Sequence, residues 1–181
     1  MYLEKMFTVL FIITTNGLNA IKAYTVEECR VIKTSVQCCV INGPPTDPDT
    51  IDDVRKCFED IPKTDTQNCD IDICVAQTKG YVTPENQINK EVLDEEVAYS
   101  FDHIPTLLKP VKENCVYGDL SRFGSACEFI LTRRCIHLHM IAFCPEWKSD
   151  EMCEYRQTRA LKCVEEMDNY TQADMDKFWG N

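Results

Sequence analysis

The sequence predicts an all-α fold: a compact array of six to eight short helices, cross-linked by about six disulfides around an apolar cavity. Apolar residues recur at helical spacing between short breaks marked by Pro and Gly, and no period-two alternation of useful length occurs. The 181-residue chain also holds 12 cysteines, an even number, all behind an apolar leader. That pattern points to full pairing in an oxidising compartment. A metal site, the competing use of cysteine, wants Cys-x-x-Cys pairs, and the chain has none.

In chain order, Lys5 precedes the apolar run Met6-Phe7-Thr8-Val9-Leu10-Phe11-Ile12-Ile13, and polar and small residues follow to Ala23. The run is too short to span a bilayer and has the layout of a secretory signal, ending at Ala20 or Ala23. Residues 1–23 are therefore expected to be a signal peptide and 24–181 one helical domain of a secreted protein. No second long apolar segment follows, so no stable membrane insertion is expected. Thr25-Val26-Glu27-Glu28 reads as a capping box for a helix through residue 40, stopped by Asn42-Gly43-Pro44-Pro45. Helices are expected over 49–59, ending before Pro62, and over 70–77, stopped by Gly80. Thr83-Pro84-Glu85 reads as the N-cap, N1 and N2 of a helix to about residue 100. In 104–114, Pro105 suits a helix start while Pro110 breaks the middle. The strongest helix covers 125–144, and another follows Pro145 over 149–170.

On the strongest helix, Cys127, Ile130, Leu131, Leu138 and Ile141 share one side, and Phe129, Ile136, Met140 and Phe143 the other. Glu128, Thr132 and His139, with Arg133 and His137, fill two narrow polar seams. A helix apolar on opposite faces is sandwiched between neighbours. Cys135 and Cys144, nine residues apart, point about half a turn from each other and can tie this helix to different neighbours.

The order of cysteines resembles that of the insect odorant-binding proteins, specifically their cysteine-enriched Plus-C branch. The matching residues are Cys38-Cys39 with Pro44 or Pro45 after them, Cys69 and Cys74 close together, and Cys115 farther on. Cys135, the step Cys144-Pro145, Cys153 and Cys163 complete the match. Asp70-Ile71-Asp72-Ile73 puts four residues between Cys69 and Cys74, where the family has three. The resemblance implies a shared set of Cys39 (or Cys38), Cys69, Cys74, Cys115, Cys135 and Cys144, paired Cys39–Cys74, Cys69–Cys135 and Cys115–Cys144. Cys29, Cys57, Cys127, Cys153, Cys163 and the spare of Cys38 and Cys39 would make three more bridges. The family's role implies a secreted carrier of small hydrophobic ligands, with release on acidification.

Other chemistries find little support. A net charge of −11 disfavours nucleic acid, and the doublet Arg133-Arg134 reads as helix surface. Cys38-Cys39 resembles the adjacent pair of secreted phospholipases A2, but no His-Asp dyad follows it. His137 and His139 lie about 200° apart on a helix and cannot share a metal ion. No Gly-x-Ser-x-Gly elbow is present, Asp102-His103 lacks a nucleophile, and Asp94-Glu95-Glu96 reads as a solvated face. An enzyme, a cofactor and a metal are therefore not expected. The expected partner is a small apolar ligand, with a homodimer left open. The alternative is a secreted interaction module, an inhibitor or receptor ligand, on the same scaffold. Candidate ligand-lining residues are Phe101, Leu107, Leu108, Phe123, Phe129, Ile136, Met140 and Phe143, weighed against plain core. Phe178-Trp179 reads as a lid or patch, or as part of a frayed terminus, and Asn169-Tyr170-Thr171 is a glycosylation sequon.

Overall fold

Thr25 and Glu28 make the reciprocal bonds expected of a capping box, but across the turn that leads into the first helix. The N-cap residue of that helix is Glu27, which carries no side-chain cap. The Thr25 hydroxyl accepts the Glu28 N–H at 3.3 Å, while the Glu28 carboxylate accepts the Thr25 N–H at 2.9 Å and its hydroxyl at 3.0 Å. The structure is a computed structural model that describes residues 24–43, 48–61 and 69–180. The leader over 1–23 and the stops at Pro44-Pro45 and Pro62 lie outside the described residues. Helix α1 is composite, with 3-10 turns Glu28–Val31 and Val36–Cys38 around an α turn Ile32–Ser35. Then come α2 (Pro48–Asp60), α3 (Asp70–Thr78), α4 (Lys90–Phe101), α5 (Pro105–Val111), α6 (Glu128–Ala142), α7 (Glu151–Met167) and α8 (Gln172–Trp179). The described residues contain no strand, only two isolated bridges, Cys39 with Trp147 and Val82 with Ile88. None of their helices is long and apolar enough to cross a membrane.

Three local expectations are corrected. Thr83-Pro84-Glu85 starts no helix, because the Thr83 hydroxyl accepts the N–H groups of Glu85 and Gln87 at 3.3 and 3.4 Å. These bonds close a tight turn with Asn86 at φ 63°. Asn89, whose side chain accepts the Val92 N–H, caps α4 instead. Pro110 sits inside α5 without breaking it, and the winding continues as a π turn, Lys112–Val116. The ring costs one bond, that to the carbonyl four residues earlier. Finally, Phe178-Trp179 is not part of a frayed terminus. Thr171 and Asp174 form a second capping box that starts α8. Phe178 is fully buried, so this terminus is docked, not frayed.

Helix α6 is the centre. Phe129, Thr132, Arg134, Cys135, Leu138, His139 and Ile141 are buried, and within the helix Glu128 and Arg133 are the exposed residues. It meets α1, α3, α5, the π turn and α7. The two-sided apolar pattern thus corresponds to a helix enclosed by neighbours. The polar seams are wet only at Glu128 and Arg133. Thr132 folds its hydroxyl back onto the Glu128 carbonyl at 2.9 Å, while Arg134 and His139 are buried with partners of their own. Arg134 is therefore not helix surface, although Arg133 is.

All 12 cysteines are paired: Cys29–Cys163, Cys38–Cys153, Cys39–Cys144, Cys57–Cys74, Cys69–Cys127 and Cys115–Cys135. The three pairs implied by the resemblance are corrected. Cys135 points inward from α6 onto the π turn, which carries Cys115. Cys144 lies past the end of α6, beside the bridge that holds Cys39 against Trp147. Cys127 and Cys69 meet as the N-cap residues of α6 and α3. The interlocked order itself (first to third, second to fifth, fourth to sixth) occurs on a different six: Cys57, Cys69, Cys74, Cys115, Cys127 and Cys135. The other three bridges tie α1 and the residue after it to α7 and the end of α6.

Candidate functional site

Ile130, Arg133, Arg134 and His137 stand at i, i+3, i+4 and i+7 on α6, so they form one stripe along it. With Asp72 of α3 and Trp179 of α8 they line an open cleft of about 240 Å³. Trp179 is its largest apolar surface and is wedged from several sides. The Phe178 ring lies 4.8 Å away at 77° and the His137 ring 5.9 Å away at 85°. The Arg134 guanidinium stands 5.3 Å from the indole centroid and the Lys33 ammonium 5.9 Å from it. The indole N–H is shielded from water and has no partner among the described residues.

The charges around Trp179 are largely matched. Arg133 pairs with Asp72. Arg134 donates to the Phe123 carbonyl at 3.2 Å, and its charge is favoured by Asp176 and Asp72 against burial, which lowers its pKa. Asp176 also accepts the Ser125 hydroxyl at 2.8 Å, so it links α8 to the segment before α6. Gly124, at φ 102°, leaves the room: a Cβ there would stand 2.7 Å from Asp176 Oδ1 and 2.9 Å from Arg134 Nη1. Burial, reinforced by the Arg133 charge, holds His137 below the ordinary histidine value, and its Nε2–H donates to the Ile32 carbonyl at 3.1 Å. Burial and the neighbouring charges of Arg30 and Arg134 likewise lower the Lys33 pKa.

His139 points elsewhere, as the helical spacing of the two histidines requires. Its Nδ1–H donates to the Cys135 carbonyl at 2.9 Å, and Nε2 accepts from the Asn114 amide at 3.1 Å. The ring stacks on Phe143 at 5.8 Å, and burial lowers its pKa. The ligand atoms of Cys115, Cys135 and His139 lie within 4.8 Å of one another, but the two sulfurs are joined in a disulfide and offer no thiolate to a metal.

The eight residues proposed from sequence as ligand-lining are placed as follows. Phe101, Leu107 and Phe123 are buried in the main core, with Leu108, Ile136 and Met140 half-buried against it. Phe129 belongs to a smaller cluster with Ala76 and Val82, and Phe143 is 41% exposed. None of the eight lines the Trp179 cleft. Asn169 is exposed in the turn between α7 and α8.

Sequence reasoning missed the cleft for two reasons. The stripe beginning at Ile130 mixes an apolar residue with three basic ones, so a hydrophobicity pattern does not select it. Its aromatic wall comes from the far end of the chain. The available signal was Thr171-Gln172-Ala173-Asp174, a helix-start pattern just before Met175, Phe178 and Trp179. Compared with family models, with curated proteins and with solved structures, the chain matches none of them.

Proposed function

We propose that this protein is a secreted carrier that binds small, largely apolar molecules reversibly and without chemistry. The observation that carries the reading is the Trp179 cleft. An aromatic wall and Ile130 face a short rim of hydrogen-bonding groups, on a frame cross-linked by six disulfides. Burial of apolar ligand surface at about 25 cal/mol per Å² supplies the affinity. The arginine edges and Asp72 set orientation. At about 240 Å³ the cleft lies below the roughly 300–1,000 Å³ of drug-sized sites, so its ligand is of fragment size. The interlocked disulfide order and the number of bridges also support an extracellular carrier.

Titration of the oxidised protein with N-phenyl-1-naphthylamine tests the proposal. The probe should bind saturably at micromolar concentration and be displaced by small apolar alcohols or esters. Trp179→Ala should weaken binding about tenfold, the equivalent of roughly 1.4 kcal/mol. A protein that binds neither the probe nor those competitors is no carrier, and the interaction-module reading then takes its place.

A further inference from the structure

A second cleft, of about 400 Å³, opens at the C-terminal end of α3, with a lining of different chemistry. Val92, Glu95, Glu96 and Tyr99 stand at i, i+3, i+4 and i+7 along α4 and form one wall. Thr78, Lys79 and Tyr81 form the other. The turn that presents Tyr81 is a Schellman motif. The Tyr81 N–H bonds to the Ala76 carbonyl at 2.8 Å and the Gly80 N–H to the Gln77 carbonyl at 3.0 Å, with Gly80 at φ 71°. The Phe129 ring backs Tyr81 at 6.1 Å, so the tyrosine is a fixed platform. Burial, with the neighbouring Glu96 charge, raises its pKa well above the ordinary value.

Three features of this cleft favour a cation. Two carboxylates, Glu95 and Glu96, share it with two tyrosine rings. The α3 C-terminus lies at its edge, where the helix dipole attracts positive charge. The third feature is a cation already there: Lys79 Nζ stands 5.6 Å from the Tyr81 ring centroid. That ammonium, on a flexible stem, marks where a free amine would sit, and it makes no ion pair among the described residues.

The geometry points to a second binding site in this cleft for a small organic amine, its ammonium held over Tyr81 beside Glu95 and Glu96 in place of the Lys79 ammonium. The ligand's apolar body would rest on Val92 and Tyr99. This site is separate from the Trp179 cleft and does not depend on the carrier reading. It also accounts for the placement of Asp94-Glu95-Glu96: Asp94 pairs with Lys112 at 2.6 Å, while Glu95 and Glu96 turn to the cleft.

Calorimetric titration of the intact, oxidised chain with tryptamine, and in parallel with indole-3-acetate, tests the site. The two probes carry the same ring and opposite charge. In the Trp179→Ala chain, where the other cleft is disabled, tryptamine should bind saturably and indole-3-acetate should give no heat. Lys79→Met, which removes the competing ammonium, should tighten tryptamine binding about threefold. Glu96→Gln should weaken it about tenfold, and Tyr99→Ala severalfold. Glu151→Gln, an equal change of charge on α7, should leave it unchanged. The proposal is overturned if, in the Trp179→Ala chain, both probes or neither bind, or if Lys79→Met has no effect or weakens tryptamine binding.

Discussion

His137 meets Trp179 edge-on, with ring centroids 5.9 Å apart, while its Nε2–H is committed to the Ile32 carbonyl at 3.1 Å. One neutral imidazole therefore joins α6 to α8 and to α1. Burial, with the Arg133 charge, holds its pKa below the usual histidine value, although the bond to the Ile32 carbonyl works the other way. His139, buried beside the Cys115–Cys135 bridge, is shifted the same way for the same first cause.

Acid should destabilise the fold through these two rings. The unfolded chain takes up protons at the ordinary value of 6.5, whereas the folded chain, with both pKa values lowered, resists. Their contribution is present above pH 6.5 and is lost as pH falls below it. Asp119 and Asp174, held below 3.8 by hydrogen bonds from Ser121 and Thr171, act only at lower pH. Urea midpoints should fall between pH 7.5 and 5.0, and a chain with His137→Gln and His139→Gln should show a flatter dependence. Equal slopes would exclude the two histidines as its cause.

Phe178→Ala should cost about 3–5 kcal/mol, since the ring is fully buried and its loss leaves a cavity under α8. Met152→Ala, at a side chain 56% exposed, should change stability by no more than about 0.5 kcal/mol. Chemical unfolding followed by circular dichroism separates the two. Comparable effects would mean that α8 is not docked through Phe178.

Gly124→Ala should cost about 1–3 kcal/mol, combining positive-φ strain with a Cβ 2.7 Å from Asp176 Oδ1. Because Asp176 and Arg134 must shift to admit it, the variant should also loosen Trp179. A red-shifted emission from Trp179 in a chain whose other tryptophan is changed, Trp147→Phe, checks this. Unchanged stability and emission would show that the site has slack.

Non-reducing digestion should yield peptides joined by Cys69–Cys127 and Cys115–Cys135, and none joined by Cys69–Cys135 or Cys115–Cys144. In the chain-entropy picture, removal of the Cys29–Cys163 bridge should cost about 3 kcal/mol, much the same as Cys57–Cys74, which spans 17 residues, because the nested Cys38–Cys153 bridge leaves an effective loop of only about 20 residues. Paired Cys→Ser variants measured in urea test the near-equality.

The architecture was legible where local chemistry decides it. Thr25 with Glu28, the stop at Gly80 and the doubly apolar run of α6 each force one local outcome. Legibility failed where a residue had two uses. Thr83 can cap a helix or close a turn on Glu85 and Gln87, and the bridge between Val82 and Ile88 selects the turn. A cysteine's spacing says which way it points, not what it meets. Cys135 and Cys144 do serve different neighbours, but those neighbours, Cys115 and Cys39, depend on how distant segments pack. The Trp179 cleft was hidden for a similar reason, since Ile130 and Trp179 lie far apart in sequence and become neighbours only once α8 docks.

The nesting of the bridges constrains how the chain can be made. Cys29, Cys38 and Cys39 emerge first during synthesis, yet their partners Cys163, Cys153 and Cys144 lie 134, 115 and 105 residues downstream. For most of translation these three thiols have no correct mate, while Cys57 can close on Cys74 after only 17 residues. Forming the native set of bridges therefore requires oxidising conditions that can also reshuffle wrong pairs, and a host lacking an isomerase should accumulate scrambled chains joined through residues 29, 38 and 39.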